Sequence, residues 1–327
     1  MSYRRRRKKG RIMLTWVVVI AAAAVTVAAA AVVSRLHGKP TAAKPVNPAA
    51  PPSAAAPAKP RTFLGVYTPG VPESYAGVQA FTAATGVRPG VVVYYSGWME
   101  PFQVRFAETA ARHHAAPLVQ IDPTNISLTA IAAGQYDPYL RSYAAAVRAF
   151  GGRVIISFGH EMNGNWYSWG YQHSSPAAFV AAWRHIVTVF RQQGADNTTW
   201  LWAVNVMHPR GNIPSPTAWW PGNSYVTWVG IDGYYYKPSW TFASLFGPTI
   251  KAVRSLTLAP ILISETGVTP KAGKPAKIAD LFAGVRDYGL LGFVWFNANK
   301  HRDWSINNPA AAAAFRRGAK AYRGSAL

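Results

Sequence analysis

Eight short apolar runs recur between residues 61 and 327, and segments with helical spacing of apolar residues separate most of them. Continuous apolar strands that alternate with helices form a parallel sheet that is covered on both faces. Eight such units in about 260 residues match an α/β fold of the closed (β/α)8 (TIM) barrel type better than an open doubly wound sheet. The predicted strands are FLGVY (63–67), VVVYY (91–95), PLVQI (117–121), RVIISF (153–158), TWLWAV (199–204), WVGID (228–232), ILISE (261–265) and GFVWF (292–296).

The segments between these runs carry the expected helix signals. Pro176 stands where one helix should begin and Gly194 stands just past its end, and these are common start and stop signals of helices. No Gly-x-Gly-x-x-Gly stretch follows the first strand, so a dinucleotide site is not indicated. The predicted helices cover 103–115, 139–150, 176–193, 242–256, 275–288 and 309–322, whereas the segment after the fifth strand is mostly loop.

The chain before residue 61 divides into three parts. Residues 1–11 form a basic arm, residues 12–34 are uncharged, and residues 35–60 are a linker rich in Pro and Ala. An apolar run of about 20 residues can span a bilayer, and the basic flank predicts a cytoplasmic N-terminus. The alternative is a signal segment cleaved near residues 28–31. The sequence thus predicts a domain at 61–327 outside the cytoplasm, held at the cell membrane or secreted.

The charge of the chain does not indicate a nucleic-acid partner. Lys and Arg number 34 against 12 acids, but eleven of these bases lie in the first 60 residues, which contain no acid. The other bases are scattered, without a recognition helix or zinc-finger spacing. The absence of cysteine excludes disulfides, thiol nucleophiles and cysteine metal sites.

Polar residues follow the apolar runs at the points where a barrel places its active site, the carboxyl ends of the strands. Two of the five glutamates, Glu161 and Glu265, stand at such ends, while Glu73, Glu100 and Glu108 are interpreted as surface charges. The candidate residues at strand ends are Asp122, His160, Glu161, Asn205, His208, Asp232, Tyr234, Glu265, Trp295 and Asn297.

Paired carboxylates in a cleft are the groups that hydrolyse a glycosidic bond. One protonates the leaving oxygen, and the other attacks the anomeric carbon or activates water. Aromatic side chains near the two glutamates offer flat faces on which a sugar ring can stack. They are Trp166, Trp169, Tyr234 and Trp295.

Four motifs carry a resemblance to a known family. HEMNGNWYSWG (160–170) is the most specific, ISETG (263–267) is similar to a nucleophile strand, and WWPGNSYVTWVGIDGYY (219–235) and FVWFNANKHRDWSI (293–306) match strand-six and strand-eight regions. Over residues 62–322 the chain resembles glycoside hydrolase family 26, chiefly β-mannanases of the clan of retaining (β/α)8 hydrolases.

The resemblance implies roles for these residues. Glu161 would be the acid/base and Glu265 the nucleophile, at the ~5–5.5 Å carboxyl separation of retaining enzymes. Tyr234 would hydrogen-bond the nucleophile, and Trp295 would form the sugar platform. The predicted activity is endo-β-1,4-mannanase on a β-linked polysaccharide, by a monomer without cofactor or metal. The residues predicted to bind substrate are His160, Trp166, Trp169, Asn205, Tyr234 and Trp295.

Two departures from the family pattern leave the substrate open. Asn223 or Thr227 stands where an aspartate is common, and Asp122 replaces a glutamate after strand three. Mannan, glucomannan, mixed-linkage glucan and xylan therefore all stay possible substrates, with endo or exo action. The sequence also leaves open transglycosylation and a membrane-tethered polysaccharide-binding protein. A zinc site is not indicated, because Gly164 stands where His-Glu-x-x-His requires its second histidine.

Overall fold

A computed structural model of the chain describes residues 63–207 and 213–324. The predicted basic arm, apolar segment and linker lie outside these ranges, as does His208. Within the described ranges, no helix combines the length and the apolar character needed to cross a bilayer.

Eight parallel strands close into a barrel in the order in which they occur along the chain, with β8 pairing back onto β1. The (β/α)8 prediction is confirmed, and each strand overlaps a predicted apolar run. The strands are β1 (Phe63–Tyr67), β2 (Val91–Gly97), β3 (Ala116–Asp122), β4 (Val154–Phe158), β5 (Thr198–Asn205), β6 (Trp228–Tyr235), β7 (Ile261–Val268) and β8 (Gly292–Phe296). A two-stranded hairpin, β9 (Asn299–Lys300) and β10 (Arg302–Asp303), follows β8.

Helices pack around the barrel, and two of them were not predicted. The helix at 76–85 has few large apolar residues, and that at 128–132 is only five residues long. The described part of the connection from β5 to β6 holds two short 3₁₀ turns and otherwise loop, as predicted. The helices are α1 (Ala76–Thr85), α2 (Val104–Arg112), α3 (Leu128–Ala132), α4 (Asp137–Phe150), α5 (Pro176–Gln192), α6 (Phe242–Arg254), α7 (Lys274–Asp287) and α8 (Pro309–Gly324).

The core has two layers. Outward-facing strand residues pack against the helices, and inward-facing ones fill the barrel below its mouth. The inner layer is apolar and fully buried, so the barrel is closed below the site. Its members include Val91, Val93, Leu118, Ile155, Leu201, Leu262 and Val294.

Strand β7 contains an irregularity at its centre. Gly230 and Asp232 of β6 pair with Leu262 and Glu265, so three residue steps on β7 oppose two on β6. The register against β8 shifts at the same place. Such a bulge breaks the strict alternation of side chains between the two faces of a strand. Consecutive residues Ser264 and Glu265 can therefore both face Asp232 and the barrel mouth.

Candidate active site

Glu161 lies in the turn that follows β4. Its backbone N–H donates to the carbonyl of Ala203 at 2.9 Å, which continues the ladder toward β5 beyond the end of the strand. Its side chain is 7 % exposed. Oε1 accepts from Nδ2 of Asn205 at 2.5 Å, and Oε2 accepts from Nε1 of Trp166 at 2.8 Å. Both N–H donors thus fix the orientation of the carboxyl group.

The backbone of Glu161 is in the left-handed region, with φ of 54°. A residue other than glycine in this region costs about 1–3 kcal/mol and is most often found where function requires it. Gly164 has a related role, because a Cβ there would lie 2.3 Å from the indole of Trp166. The glycine of HEMNG therefore lets Trp166 fold back over its own turn and reach Glu161.

Glu265 lies on β7 at the bulge and is also 7 % exposed. Its Oε1 accepts from the hydroxyl of Tyr95 at 2.6 Å, and its Oε2 accepts from the hydroxyl of Tyr234 at 2.7 Å. The contact with Tyr234 is the one that the motifs predicted. Tyr95 was not predicted, because it ends the apolar run VVVYY and resembles a core residue. Each oxygen of this carboxylate therefore has one phenol as a hydrogen-bond donor.

The electrostatics of the site separate the two carboxyl groups. Burial, together with the negative charge of Glu265, raises the pKa of Glu161 to about 7, while His160, Asn205 and Trp166 act in the opposite direction. Near neutral pH, Glu161 therefore keeps a proton on a substantial fraction of molecules. A carboxyl group that can donate its proton thus stands beside one held by two phenols.

His160 forms a buried ion pair next to Glu161. Its Nδ1 lies 2.9 Å from Oδ1 of Asp122, and its Nε2 lies 3.1 Å from the hydroxyl of Tyr167. Burial lowers its pKa, but Asp122 and the two glutamates outweigh burial and raise it to about 10. His160 is therefore a cation at neutral pH and holds its place in the wall of the cleft through Asp122.

Trp169 does not reach the cleft, which corrects the prediction that it binds sugar. Its side chain is 1 % exposed, its Nε1 donates to the carbonyl of His160 at 2.9 Å, and its ring stacks on Tyr167 at 4.3 Å. The indole therefore supports the residues of the site from behind.

Trp295 is likewise turned away from the cleft, because alternation along β8 sends it outward. It is fully buried, packs edge-on against Phe315 of α8, and donates from Nε1 to the carbonyl of Trp304 at 3.1 Å. Phe296, the next residue, lines the cleft together with Trp304. The aromatic rings that line the cleft after strand eight are therefore those of Phe296 and Trp304, and the ring of Trp304 lies 4.6 Å from that of Tyr234.

Asn163, which was not predicted as a site residue, fixes Asn205. Its Oδ1 accepts from the backbone N–H of Asn205 at 2.8 Å, and its Nδ2 donates to the carbonyl of Asn205 at 2.9 Å. Asn163 is fully buried. The second half of HEMNG therefore positions the amide that binds Glu161.

Asp232 lies fully buried below the two glutamates, in register between Asn205 and Glu265. The hydroxyl of Ser264 donates to its Oδ1 at 2.5 Å. Burial and the charges of Glu265 and Glu161 raise the pKa of Asp232 well above its usual range. Asp232 is thus a buried residue of the barrel wall that is bound to β7 through Ser264.

The cleft has two adjoining lobes with Glu161 on their border. The Glu265 lobe has a cavity volume of about 510 Å³ and includes Tyr95 and Phe296. The Trp166 lobe has about 640 Å³ and includes Asn205. Both volumes are in the range of small-molecule sites. The residues shared by the two lobes are Glu161, Tyr167, Tyr234, Tyr236, Lys300 and His301.

The described ranges contain no group of three or more His, Asp and Glu side chains that could hold a metal ion. Instead, each of the two glutamate carboxyl groups accepts hydrogen bonds from two neighbouring donors. What the arrangement offers chemically is one carboxyl group whose pKa is raised to about 7 and a second carboxyl group bound by two phenols, both in a cleft lined with aromatic rings.

A barrel with two carboxyl groups at the mouth, one on β7 and one after β4, is the architecture of the (β/α)8 glycoside hydrolases. Residues 151–271, which include both glutamates, match the family model described as Glycosyl hydrolase family 26. This match confirms the resemblance that the motifs predicted.

Two proteins with similar sequences have names that agree with this match. Endoglucanase H of Acetivibrio thermocellus is 31 % identical over 256 residues, which are 73 % of this chain and 28 % of that protein. A mannan endo-1,4-beta-mannosidase of Bacillus subtilis is 29 % identical over 86 residues, 24 % of this chain and 22 % of that one. The chain thus spans less than a third of the length of either relative.

Solved structures share the fold. A family 26 β-mannanase of Bacteroides ovatus superposes with a TM-score of 0.60 at 15 % identity, covering 81 % of this chain and 90 % of that one. A modular endo-β-1,4-mannanase of Cellulomonas fimi gives a TM-score of 0.63 at 15 % identity, covering 79 % and 70 %. At this level of identity the likeness concerns the fold.

Proposed function

We propose that the chain hydrolyses a β-linked polysaccharide by double displacement, with Glu161 as acid/base and Glu265 as nucleophile. The observation that carries the proposal is the contrast between the two carboxyl groups. Glu161 has a pKa raised to about 7, and Glu265 accepts hydrogen bonds from two tyrosine hydroxyls. A retaining mechanism requires one protonated and one ionised carboxyl group at the same bond.

In the first step, Glu161 donates its proton to the glycosidic oxygen while Glu265 attacks the anomeric carbon. The bond to the leaving sugar breaks, and a covalent glycosyl ester forms on Glu265. Esterification removes the negative charge that raises the pKa of Glu161. The pKa of Glu161 therefore falls, and the residue can accept a proton from the water that hydrolyses the ester.

The two lobes of the cleft suit the two sides of the cleaved bond. The Glu265 lobe would hold the sugar that is attacked, since Glu265 lines this lobe and not the other. The Trp166 lobe would hold the leaving sugar beside its proton donor. Trp166, which is 45 % exposed, offers a ring face for stacking there. All these groups come from one chain, which supports action as a monomer.

The substrate class is proposed from the names of the relatives. They include an endoglucanase and mannan endo-1,4-beta-mannosidases, so β-1,4-mannan and β-glucan are the first polymers to compare. We propose endo-β-1,4-mannanase action, with activity on glucan or xylan as the alternative. A polysaccharide-binding protein without activity is the rival function, and it is disfavoured because both carboxyl groups and their donors are in place.

The place of action follows from the sequence alone. We propose that residues 12–34 anchor the chain in the membrane, with the barrel outside the cytoplasm, or that they direct secretion and are cleaved. Mass spectrometry of the membrane fraction of the source cells distinguishes the two. Peptides from residues 35–60 that stay joined to the apolar segment support the anchor.

The test of the mechanism compares two substrates with the Glu161→Ala variant. Loss of a general acid lowers the rate by ~10²–10⁴-fold when the leaving group needs a proton. A polysaccharide should show this loss, whereas formation of the glycosyl ester from an aryl glycoside with a good leaving group should be much less affected. Equal losses on both substrates would contradict the acid role of Glu161.

NMR of the product first released by the wild-type protein provides the matched measurement. A retained β-configuration is expected, and inversion would contradict the nucleophile role of Glu265. A crystal structure should show the carboxyl groups ~5–5.5 Å apart, because ~6.5–9.5 Å is the separation that leaves room for water in an inverting site.

A further inference from the structure

A basic hairpin, residues 299–303, borders the cleft. It consists of β9 and β10 and carries three consecutive basic residues, Lys300, His301 and Arg302, all of them exposed. Lys300 and His301 line both lobes of the cleft, and Arg302 lines the Glu265 lobe. The three side chains are thus within reach of the sugars on either side of the bond that the proposed function cleaves.

The hairpin is held in place by aromatic contacts. The guanidinium carbon of Arg302 lies 5.7 Å from the centre of the Tyr236 ring, which itself lines both lobes. Trp304, directly after the hairpin, donates its backbone N–H to the carbonyl of Ala298 at 3.0 Å and packs its ring against Tyr234. The cation of Arg302 is therefore fixed beside the walls of the cleft.

Asp303, the acid within the hairpin, binds elsewhere. It accepts hydrogen bonds from the hydroxyl and backbone N–H of Ser305 and from Asn307. In the described ranges no acid lies within 4 Å of the charged groups of Lys300, His301 or Arg302. The acids that line the Glu265 lobe are Glu161, Glu265 and Asp122, each of which is bound by its own partners.

We propose that the polysaccharide carries an anionic group, a carboxylate or a sulfate, on sugars next to the cleaved bond, and that Lys300 and Arg302 bind it. This inference rests on the proposed function and narrows its substrate class. A neutral glycan could only accept hydrogen bonds from these two cations, whereas an anionic group there would also compensate their charge. Arginine in particular binds carboxylate and sulfate oxygens through two parallel N–H groups.

The test uses one polymer in three forms: β-1,4-mannan, the same mannan with part of its C6 hydroxymethyl groups oxidised to carboxylate, and the same mannan partly sulfated. The wild-type protein should show kcat/KM about tenfold higher on at least one anionic form, the size of one charge-assisted hydrogen bond. The preference should shrink between 0.05 and 1 M NaCl, because the Debye length falls to about 3 Å at 1 M. The carboxylate and sulfate forms show which anion is preferred.

Two double variants distinguish the effect of the hairpin charges on kcat/KM from the effect of the overall charge of the chain. Lys300→Gln with Arg302→Gln removes two charges at the cleft. Arg317→Gln with Lys320→Gln removes two exposed charges on α8, where Lys320 adjoins Gly86 and Val87, ahead of β2 and away from the mouth. The ratio of kcat/KM on the anionic to the neutral polymer should fall about tenfold in the hairpin variant and stay within twofold in the α8 variant.

The inference is overturned if the wild-type protein cleaves the neutral form as well as both anionic forms, or if the two double variants lose the preference equally. Absence of cleavage on all three polymers, and on glucan and xylan, would instead contradict the proposed function. In that case retardation of the protein in gels that contain each polymer still decides the inference. Stronger retardation by an anionic form that the hairpin variant loses and the α8 variant keeps supports it, and equal retardation overturns it.

Discussion

Glu161 and Glu265 are equally buried and each accepts two hydrogen bonds, yet they are built into the fold in different ways. Glu161 stands in a turn with left-handed backbone and is bound by an amide and an indole. Glu265 stands in a strand with a bulge and is bound by two phenols. Burial alone therefore does not distinguish the proposed acid from the proposed nucleophile.

What distinguishes them is the sum of neighbouring charges and donors. The charge of Glu265 is a principal cause, after burial, of the raised pKa of Glu161. The two carboxyl groups are thus one electrostatic unit, in which an anion at one position keeps the proton at the other. The following changes test this division of roles.

The largest effect is expected for Glu265→Ala, which should lower kcat by about 10⁴–10⁶-fold, as for loss of a covalent nucleophile. Azide fits the space that the carboxylate leaves and attacks from the same side, so it should restore turnover and give an α-glycosyl azide from a β-linked substrate. In Glu161→Ala, azide should attack the glycosyl ester and give the β-anomer. The same anomer from both variants would contradict the division of roles.

A second expectation concerns stability. The pKa of Glu161 is raised from 4.5 to about 7, so the folded state binds this proton more tightly than the unfolded state. The stabilisation is complete below pH 4.5 and is lost as pH rises through 7, a difference of about 3 kcal/mol at 1.36 kcal/mol per unit. Urea unfolding of the wild type and of Glu161→Gln at pH 5 and pH 8 measures it. The Gln variant should lose about 2–3 kcal/mol less than the wild type between these pH values, and parallel losses would contradict the raised pKa.

A smaller effect is expected from the hydrogen-bond donors, with different signatures at the two sites. Tyr95→Phe or Tyr234→Phe removes one donor to a charged group and should lower kcat about tenfold. Asn205→Ala should raise the pKa of Glu161 further, because this amide lowers it, and should move the alkaline limb of kcat/KM to higher pH. If Tyr95→Phe or Tyr234→Phe also moved the alkaline limb of kcat/KM to higher pH, the donors at the two glutamates would not act separately.

The smallest effect is expected for Trp169→Phe. The variant loses the hydrogen bond to the carbonyl of His160 and a little buried area, so the free energy of unfolding should fall by about 1–2 kcal/mol. Its KM should change less than that of Trp166→Phe, because Trp166 lines the cleft and Trp169 does not. The reverse order of KM values would restore the original prediction for Trp169.

The fold was predictable because all eight strands are apolar runs that need no partner to be recognised. The direction in which a single side chain points was harder to predict from the sequence. Trp295 and Phe296 are adjacent, and the sequence does not show which of the two faces the mouth. Tyr95 was overlooked for a related reason, since a tyrosine that ends an apolar run has the pattern of a core residue.

The two glutamates were found because acids are rare in this chain and both follow apolar runs directly. Their partners were found less completely. Asn163 and Tyr167 lie within the predicted motif, but their contacts with Asn205 and His160 depend on how the turn folds back. Such contacts join loops from different strands, and no local pattern of residues encodes them.

The bulge in β7 has a consequence for how the site tolerates change. The bulge lets two consecutive residues, Ser264 and Glu265, face the barrel interior, so the number of residues after Leu262 matters as well as their identity. Removing Ile263 would restore regular alternation and leave Glu265 on the inner face, but it would turn Ser264 outward and take its hydroxyl away from Asp232. The site should therefore accept many substitutions at Ile263 but no deletion. In a set of homologous or randomised sequences, the segment between Leu262 and Glu265 should vary in amino-acid identity while its length stays constant.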